Sequence, residues 1–336
     1  MDADEAAADD HENNLQVDPA YQLTQWYEEE IESDLKWALA LNRILHATTS
    51  QFQDIVLLDT KYFGKVLILD GKLQSAERDE FVYHECLVHP ALLLHESPKS
   101  VFIMGGGEGS AAREALRHRG IEKVVMCDID RVVVDFCRLH LMANREAFSD
   151  ERLQCVINDA KAELENRNEK FDVIIGDLAD PLDGGPCNSL YTKSFYEKVI
   201  KNKLNNGGIF VTQAGPAGVL SHKVVFSSIY NTVRQVFKYA IAYTAHVPSF
   251  VDTWGWVVAS DEPLNLDVEL INKKIRERVT GELQYLDGSS IVSSTFLSKI
   301  IHTALLNETH VYTEENARYL HGHGVADTVD FSGTVI

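Results

Sequence analysis

The sequence predicts an α/β protein, a doubly wound and largely parallel sheet preceded by a small antiparallel β domain. Two observations predict it. From Ser100 onward, short apolar runs alternate with helix-like segments, the rhythm of successive βαβ units. Between Trp26 and about Pro90, brief apolar or alternating runs are punctuated by turn residues, as in hairpins. The chain has 336 residues, 45% of them hydrophobic, which is enough apolar material for one large unit and a smaller one.

Taken in order, residues 1–24 hold many acids, Ala and Asn without Lys or Arg, and are predicted to be a disordered acidic tail. Residues 25–92 make the β-hairpin domain and a linking helix. "QDIVLLDT", "GKVLILDG" and "KLQSAERDE" are strands, set off by "YFG" and "DGK". "EFVYHECLVHPALLLH" spaces its apolar residues by three and four and is helical, with Pro98 at the join to the next unit. Residues 93–310 form the larger unit. Its strands are "SVFIMGG", "EKVVMCDID", "LQCVINDA", "KFDVIIGDLADP", "GGIFVTQAG", "AIAYTAHV" and, closing the sheet, "GWVVASD". Its helices are "SAAREALRHRG" (closed by Gly120), "RVVVDFCRLHLMAN", "KAELENR", "YTKSFYEKVIKNKL" and "HKVVFSSIYNTVRQVF". Residues 311–336 lack a core pattern and are predicted to be a loose tail. His321 and His323 there have no Cys or carboxylate set nearby and read as polar tail, so no metal site is expected.

The 51 acidic and 31 basic residues give a formal charge of −20. Nucleic acid and anionic membrane surfaces would be repelled, whereas a small cationic ligand would not. An acidic surface also serves solubility alone. The five cysteines have irregular spacings and no CxxC, which fits reduced thiols in a cytoplasmic protein. "MDADEAAADD" is no signal peptide, and no apolar run approaches a membrane span.

The chemistry concentrates in "FIMGGGEGSAAREAL". Gly105, Gly107 and Gly109 give GxGxG, and Ser110 stands where the dinucleotide pattern GxGxxG has its last glycine, which disfavours a dehydrogenase. Asp128 ends the second strand of the large unit, where an acid can take two ribose hydroxyls. Asp159 ends the third, where a carboxylate can accept from an adenine amino group. Singly, each acid reads equally as a helix cap or a solvated strand end. Glu108 inside the turn is unusual. It would repel the carboxylate of S-adenosylmethionine, which argues against a methyltransferase. It would attract the bare ammonium of the decarboxylated form, by about 4 kcal/mol at ~4 Å and an effective dielectric near 20. Asp177 and Asp180 in "GDLADP" lie at the carboxyl end of the fourth strand, although DxxDP is also good turn chemistry.

"VLILDGKLQSAERDEFVYHE", "IMGGGEGS", "VVMCDID" and "VIIGDLADP" resemble the aminopropyltransferase family, the spermidine and spermine synthases. The likeness runs from about Trp26 to Leu305. "MGGGEGSAAREALRH", "GDLADPLDGGPC" and "TAHVPSFVDTWGWV" are most similar to its plant, thermospermine-forming members. The resemblance implies a Rossmann-like, methyltransferase-type fold and a homodimer or homotetramer. It implies decarboxylated S-adenosylmethionine as co-substrate, no cofactor, and spermidine as acceptor, with spermine or spermidine synthesis as the neighbouring alternatives. The intact set Glu108, Asp128, Asp159 and Asp177 argues against a non-catalytic polyamine-binding relative. The resemblance further implies that Asp177 accepts the proton, Asp180 binds the amine chain and Tyr83 bonds the attacking nitrogen. Gln53, His84 and Ala160 would join the glycine turn around the donor; His84 stands where many relatives have Gln. Gln213, Gly215, Phe250 and Trp254 would line the acceptor end, with Gly215 in the place of a family glutamate and Phe250 in that of a tyrosine. Trp26 and Tyr27 are candidates for the same channel, although buried core is the commoner fate of aromatics.

Overall fold

The computed structural model describes residues 24–32, 34–181, 185 and 187–319. The acidic tail apart from Thr24, and the C-terminal residues from 320 on with His321 and His323, lie outside them.

The first strands pair antiparallel in chain order: β1 (Trp26–Glu32), β2 (Leu35–Thr49), β3 (Asp54–Thr60), β4 (Gly64–Leu69) and β5 (Lys72–Ala76). β3 to β5 are the three runs the sequence marks. β2, "LKWALALNRILHATT", is rich in helix formers, but pairing along both edges overrides that preference. Helix α1 (Glu80–Leu94) follows, and it is buried on every side rather than along one stripe. Pro90 sits inside it and cannot donate to the carbonyl four residues back. That carbonyl, of Cys86, instead accepts from the Tyr243 hydroxyl at 2.8 Å.

The second sheet contains β6 (Ser100–Gly105), β7 (Lys123–Asp128), β8 (Leu153–Ile157), β9 (Phe171–Asp177), β10 (Leu204–Pro216), β11 (Tyr239–Val247) and β12 (Asp252–Ser260), in the spatial order β11-β12-β10-β9-β6-β7-β8. β6 to β10 run parallel, and β12 lies antiparallel between β10 and β11. Val101, Ile103, Val124 and Met126 face the layer that holds α1, while Phe102, Met104, Val125 and Cys127 face the other. Both faces are covered, which is why these strands read as continuous apolar runs. This is the predicted Rossmann-like sheet. The chain leaves β6 toward β7 on one side and returns at β9 on the other, so the topological switch falls between β6 and β9. Open α/β sheets bind ligands outside the strand ends at that point.

The helices near the switch are α2 (Ser110–Leu116), α3 (Arg131–His140), α4 (Arg145–Phe148) and α5 (Ala160–Asn166). α2 stops before the predicted Gly120, because His118 bridges Val279 and Arg117 donates to the carbonyls of Thr280 and Glu282. "YTKSFYEKVIKNKL" contains a π-helical segment, Tyr196–Ile200. Helices Val268–Arg278, Gly288–Ser293 and Lys299–Asn307 had no counterpart in the sequence reading. Residues 311–319 are not loose. Tyr312 is fully buried, accepts through its carbonyl from Lys193 and donates through its backbone to Thr232. The five cysteines are all unpaired, and among the described residues no helix is long and apolar enough to cross a membrane.

Candidate active site

At the switch point the two key strand ends lie side by side, Gly105 of β6 in register with Asp177 of β9. The turn after β6 bonds straight across, Gly106 N–H to the Asp177 carbonyl at 3.1 Å. Gly107 shows why this turn needs glycine. Its N–H reaches the Asp128 carboxylate at 2.9 Å, and a Cβ there would sit 2.6 Å from the same oxygen. A cavity of about 490 Å³ opens above these strand ends. All the predicted site residues line it except Gly215, Trp26 and Tyr27.

Three acids from successive strand ends face this cavity, Glu108 after β6, Asp128 of β7 and Asp159 after β8. Partial burial raises the affinity of Asp128 for protons, while the N–H groups of Gly107 and Asp130 pull it back down. Asp159 caps α5 by accepting from Ala162 N–H at 2.7 Å, so the cap and the site are one residue. Ala160 opens that helix and lines the cavity. Asp130, which the sequence reading passed over, caps α3 and also accepts from Ser50 Oγ at 2.5 Å and Gln53 Nε2 at 3.0 Å. It thereby ties the first sheet to the second and fixes Gln53 at the rim of the cavity.

Glu108 is held from two sides. Ser75 of β5 and Ser110 of α2 both donate to its Oε1, at 2.9 and 2.6 Å. Burial raises its proton affinity, and the nearby His84 opposes that rise. His84 is itself buried on α1, with Nδ1 2.7 Å from Glu80 Oε2. Burial disfavours its charge, yet Glu80, Glu108 and Asp177 together raise it to about 9, so the ring is a cation at neutral pH. Burial would raise Glu80 too, but His84 and Arg113 hold it down to about 2. Among the described residues, Glu80, His84 and Glu108 are the group that brings three metal-capable atoms within 4.8 Å of one another. Arg113 already contacts both Glu80 oxygens, so the charges are balanced within the protein.

Asp177 accepts from the Tyr83 hydroxyl at 3.1 Å and is half-buried at the cavity wall. Burial raises its proton affinity, against the pull of His84 and of the Tyr83 bond. Asp180 is pushed up to about 6 by burial, with Gln213 and Lys72 acting the other way. Gln213 braces this end of the cavity. Its amide nitrogen donates to Asp180, the Leu178 carbonyl and Tyr191, and its oxygen accepts from Trp254 Nε1 and Gly215 N–H. Phe250 packs edge-on to Trp254 and Tyr83, with ring centres 4.7 and 5.7 Å away.

Gly215 is placed differently from the expectation. It lies in a bulge of β10 with φ +78°, buried and outside the cavity lining, whereas Gln213 and Pro216 of the same bulge line it. An extra residue in a bulged strand re-aims its neighbours, and nothing in "TQAGPAG" marks which ones. Trp26 and Tyr27 also stand off the cavity wall. Trp26 is largely exposed, and Tyr27 bonds Glu29 and the Gly71 carbonyl. Trp37, Glu29 and Lys72 of the first sheet line it instead. No motif around them signals this, since they meet the site only through sheet packing.

The arrangement joins a nucleoside-sized, acid-lined slot to an enclosed carboxylate and an aromatic wall. The spermine/spermidine synthase domain matches residues 80–269, and the spermidine synthase tetramerisation domain matches residues 25–77. The chain is 67% identical to thermospermine synthase ACAULIS5 of Arabidopsis thaliana over 301 residues, 90% of this chain and 89% of that one. It is 42% identical to a polyamine aminopropyltransferase of Aeropyrum pernix, covering 88% and 95%. Among solved structures, a spermidine synthase in complex with the transition-state analogue AdoDATO superposes with a TM-score of 0.79 at 28% identity, covering 88% of this chain and 98% of that one. On these matches, and with the geometry in agreement, the chain belongs to the spermine/spermidine synthase family of aminopropyltransferases.

Proposed function

We propose that the chain transfers the aminopropyl group of decarboxylated S-adenosylmethionine to spermidine, giving thermospermine and methylthioadenosine. The observation that carries this is Glu108, a half-buried acid set in the glycine turn of the same cavity as Asp177. A carboxylated donor tail would be repelled there, and a bare ammonium is attracted. The 67% identity to a plant thermospermine synthase supports the product.

In this reading Asp128 takes the ribose hydroxyls, and Asp159 with the Ala160 backbone takes the adenine. The acceptor amine attacks the propyl carbon next to the sulfonium; the C–S bond breaks and its electron pair leaves with neutral methylthioadenosine. The leaving group needs little help. The nucleophile does, because an alkylamine with a pKa near 10.4 is almost wholly protonated at neutral pH. Asp177 attracts the ammonium and takes one proton from it, which frees the lone pair for attack, with the Tyr83 hydroxyl orienting the same nitrogen. Asp180 holds the next amine along the chain. Phe250 and Trp254 give methylene segments an apolar wall where a spermidine synthase has a phenol, which favours spermidine over putrescine.

The same reading extends to a homodimer or homotetramer formed through the first sheet, whose match is to a tetramerisation domain. Unpaired cysteines support a reducing, cytoplasmic setting, and the charge of −20 supports the absence of nucleic-acid or membrane partners. Chromatography that separates thermospermine from spermine, run on the product from spermidine, tests the proposal. Spermine as the main product would replace it with spermine synthesis. Putrescine turning over as well as spermidine would make this a spermidine synthase.

A further inference from the structure

His84 poses a question that the reading above leaves open. A buried imidazole lies against Glu108, where that reading seats the ammonium of the donor. His84 is held there firmly. Its Nδ1 bonds the Glu80 carboxylate at 2.7 Å and lies 2.9 Å from the Glu80 carbonyl, and the Tyr83 ring meets it edge-on at 5.0 Å. Swinging away would break its bond to Glu80, which Arg113 holds in place from behind at 2.8 and 2.9 Å. The charged groups facing it are Glu80 on its own helix, Glu108 in the glycine turn, Asp177 at the end of β9 and, across Glu80, Arg113 of α2. Glu108 therefore has two prospective counterions, and with its Oε1 already taken by Ser75 and Ser110, Oε2 is the place left for them. Two cations cannot share that place cheaply in a site screened from water.

We propose that donor binding expels a proton from His84: the imidazolium is the counterion of Glu108 in the empty site, and it gives up its charge when the donor's ammonium takes over that role. The imidazole is the one to yield because it is the weaker base, with an ordinary pKa near 6.5 against about 10 for an alkylammonium. The proton passes to solvent, and neutral His84 remains a hydrogen-bonding wall of the donor tail. This rests on the donor assignment above and deepens it. His84 is then a positioning residue that makes donor affinity depend on pH. The group is protonated in the empty site up to about 9. Affinity should therefore climb as pH rises toward that value, by up to about tenfold per unit, and then level off.

Titration calorimetry of the whole chain at pH 7.5, in buffers of different ionisation enthalpy, counts the protons released. Decarboxylated S-adenosylmethionine should release about one proton per molecule bound. Methylthioadenosine, which lacks the ammonium, should release none, and this comparison needs no variant. His84→Gln should bind the donor without proton release and without the rise of affinity with pH. Donor binding without proton release in the wild type, or equal release with methylthioadenosine, would overturn the proposal. Failure of the donor to bind while methylthioadenosine binds would instead overturn the donor assignment, and this inference with it.

Discussion

At the residue scale, a carboxylate takes a proton from an amine most readily when its own proton affinity is raised, and burial does this to Asp177 and Asp180. Asp177→Asn keeps the shape and the Tyr83 contact but removes the acceptor, so turnover should fall by about a hundredfold or more with donor binding largely kept. Single-turnover rates beside donor affinity check this, and near-normal turnover would remove Asp177 from the mechanism. Asp180 makes a prediction in pH. Its folded value is about 6, and the ionised form grips the amine. The grip is therefore present above that pH and lost as pH falls through it. The acid limb of kcat/KM for spermidine should fall near pH 6, and in Asp180→Asn the profile should lose that limb at a lower plateau. These acids were legible in the sequence because strand ends are where such sheets keep their chemistry. Gly215 and the ring around His84 were not. One depends on a bulge, the other on Glu80, Arg113 and Ser75, which lie far apart in the chain.

At the scale of the element, the glycine turn matters because backbone and carboxylate come closer than any side chain permits. Gly107→Ala drives a Cβ to 2.6 Å from Asp128 Oδ2 and against Val134, so either the turn or the Asp128 carboxylate must shift. Donor and methylthioadenosine affinity should both fall at least tenfold while the circular dichroism spectrum is kept. Unchanged affinity would show that Asp128 does not hold the nucleoside in this geometry. The turn, the parallel strands and α1 could be read from periodicity, because each repeats one local pattern. β2 could not, since its helix formers are overruled by strands on both edges. The three C-terminal helices escaped as well. They are short, and part of their support comes from α1: the buried Glu85 carboxylate accepts from the backbone N–H groups of Gln284, Tyr285 and Leu286, just before the helix at Gly288–Ser293.

At the scale of the molecule, the sequence divides the chain into a small β unit and a large α/β unit, yet the cavity takes its walls from both. Glu29, Trp37 and Lys72 come from the first sheet, and the acids come from the second. Two partly buried polar ties hold them in register, Ser75 to Glu108 and the Ser50–Gln53 pair to Asp130. A ligand lodged between the sheets therefore reinforces the same junction. At a hundredfold excess over Kd, methylthioadenosine should stabilise the wild type by about 2.7 kcal/mol, seen as a higher Tm. Asp130→Ala removes the cap of α3, worth about 1 kcal/mol, and also frees Ser50 and Gln53. Ser50→Ala spares the cap and loosens only the tie. Both variants should melt lower, Asp130→Ala more so. In both, the rise in Tm at a fixed methylthioadenosine concentration should be smaller than in the wild type, because part of the binding energy goes into re-forming the junction. Scanning calorimetry with and without methylthioadenosine decides the matter. If Ser50→Ala lowers Tm yet leaves the ligand-induced rise unchanged, the tie serves only the fold, and the cavity is shaped without it.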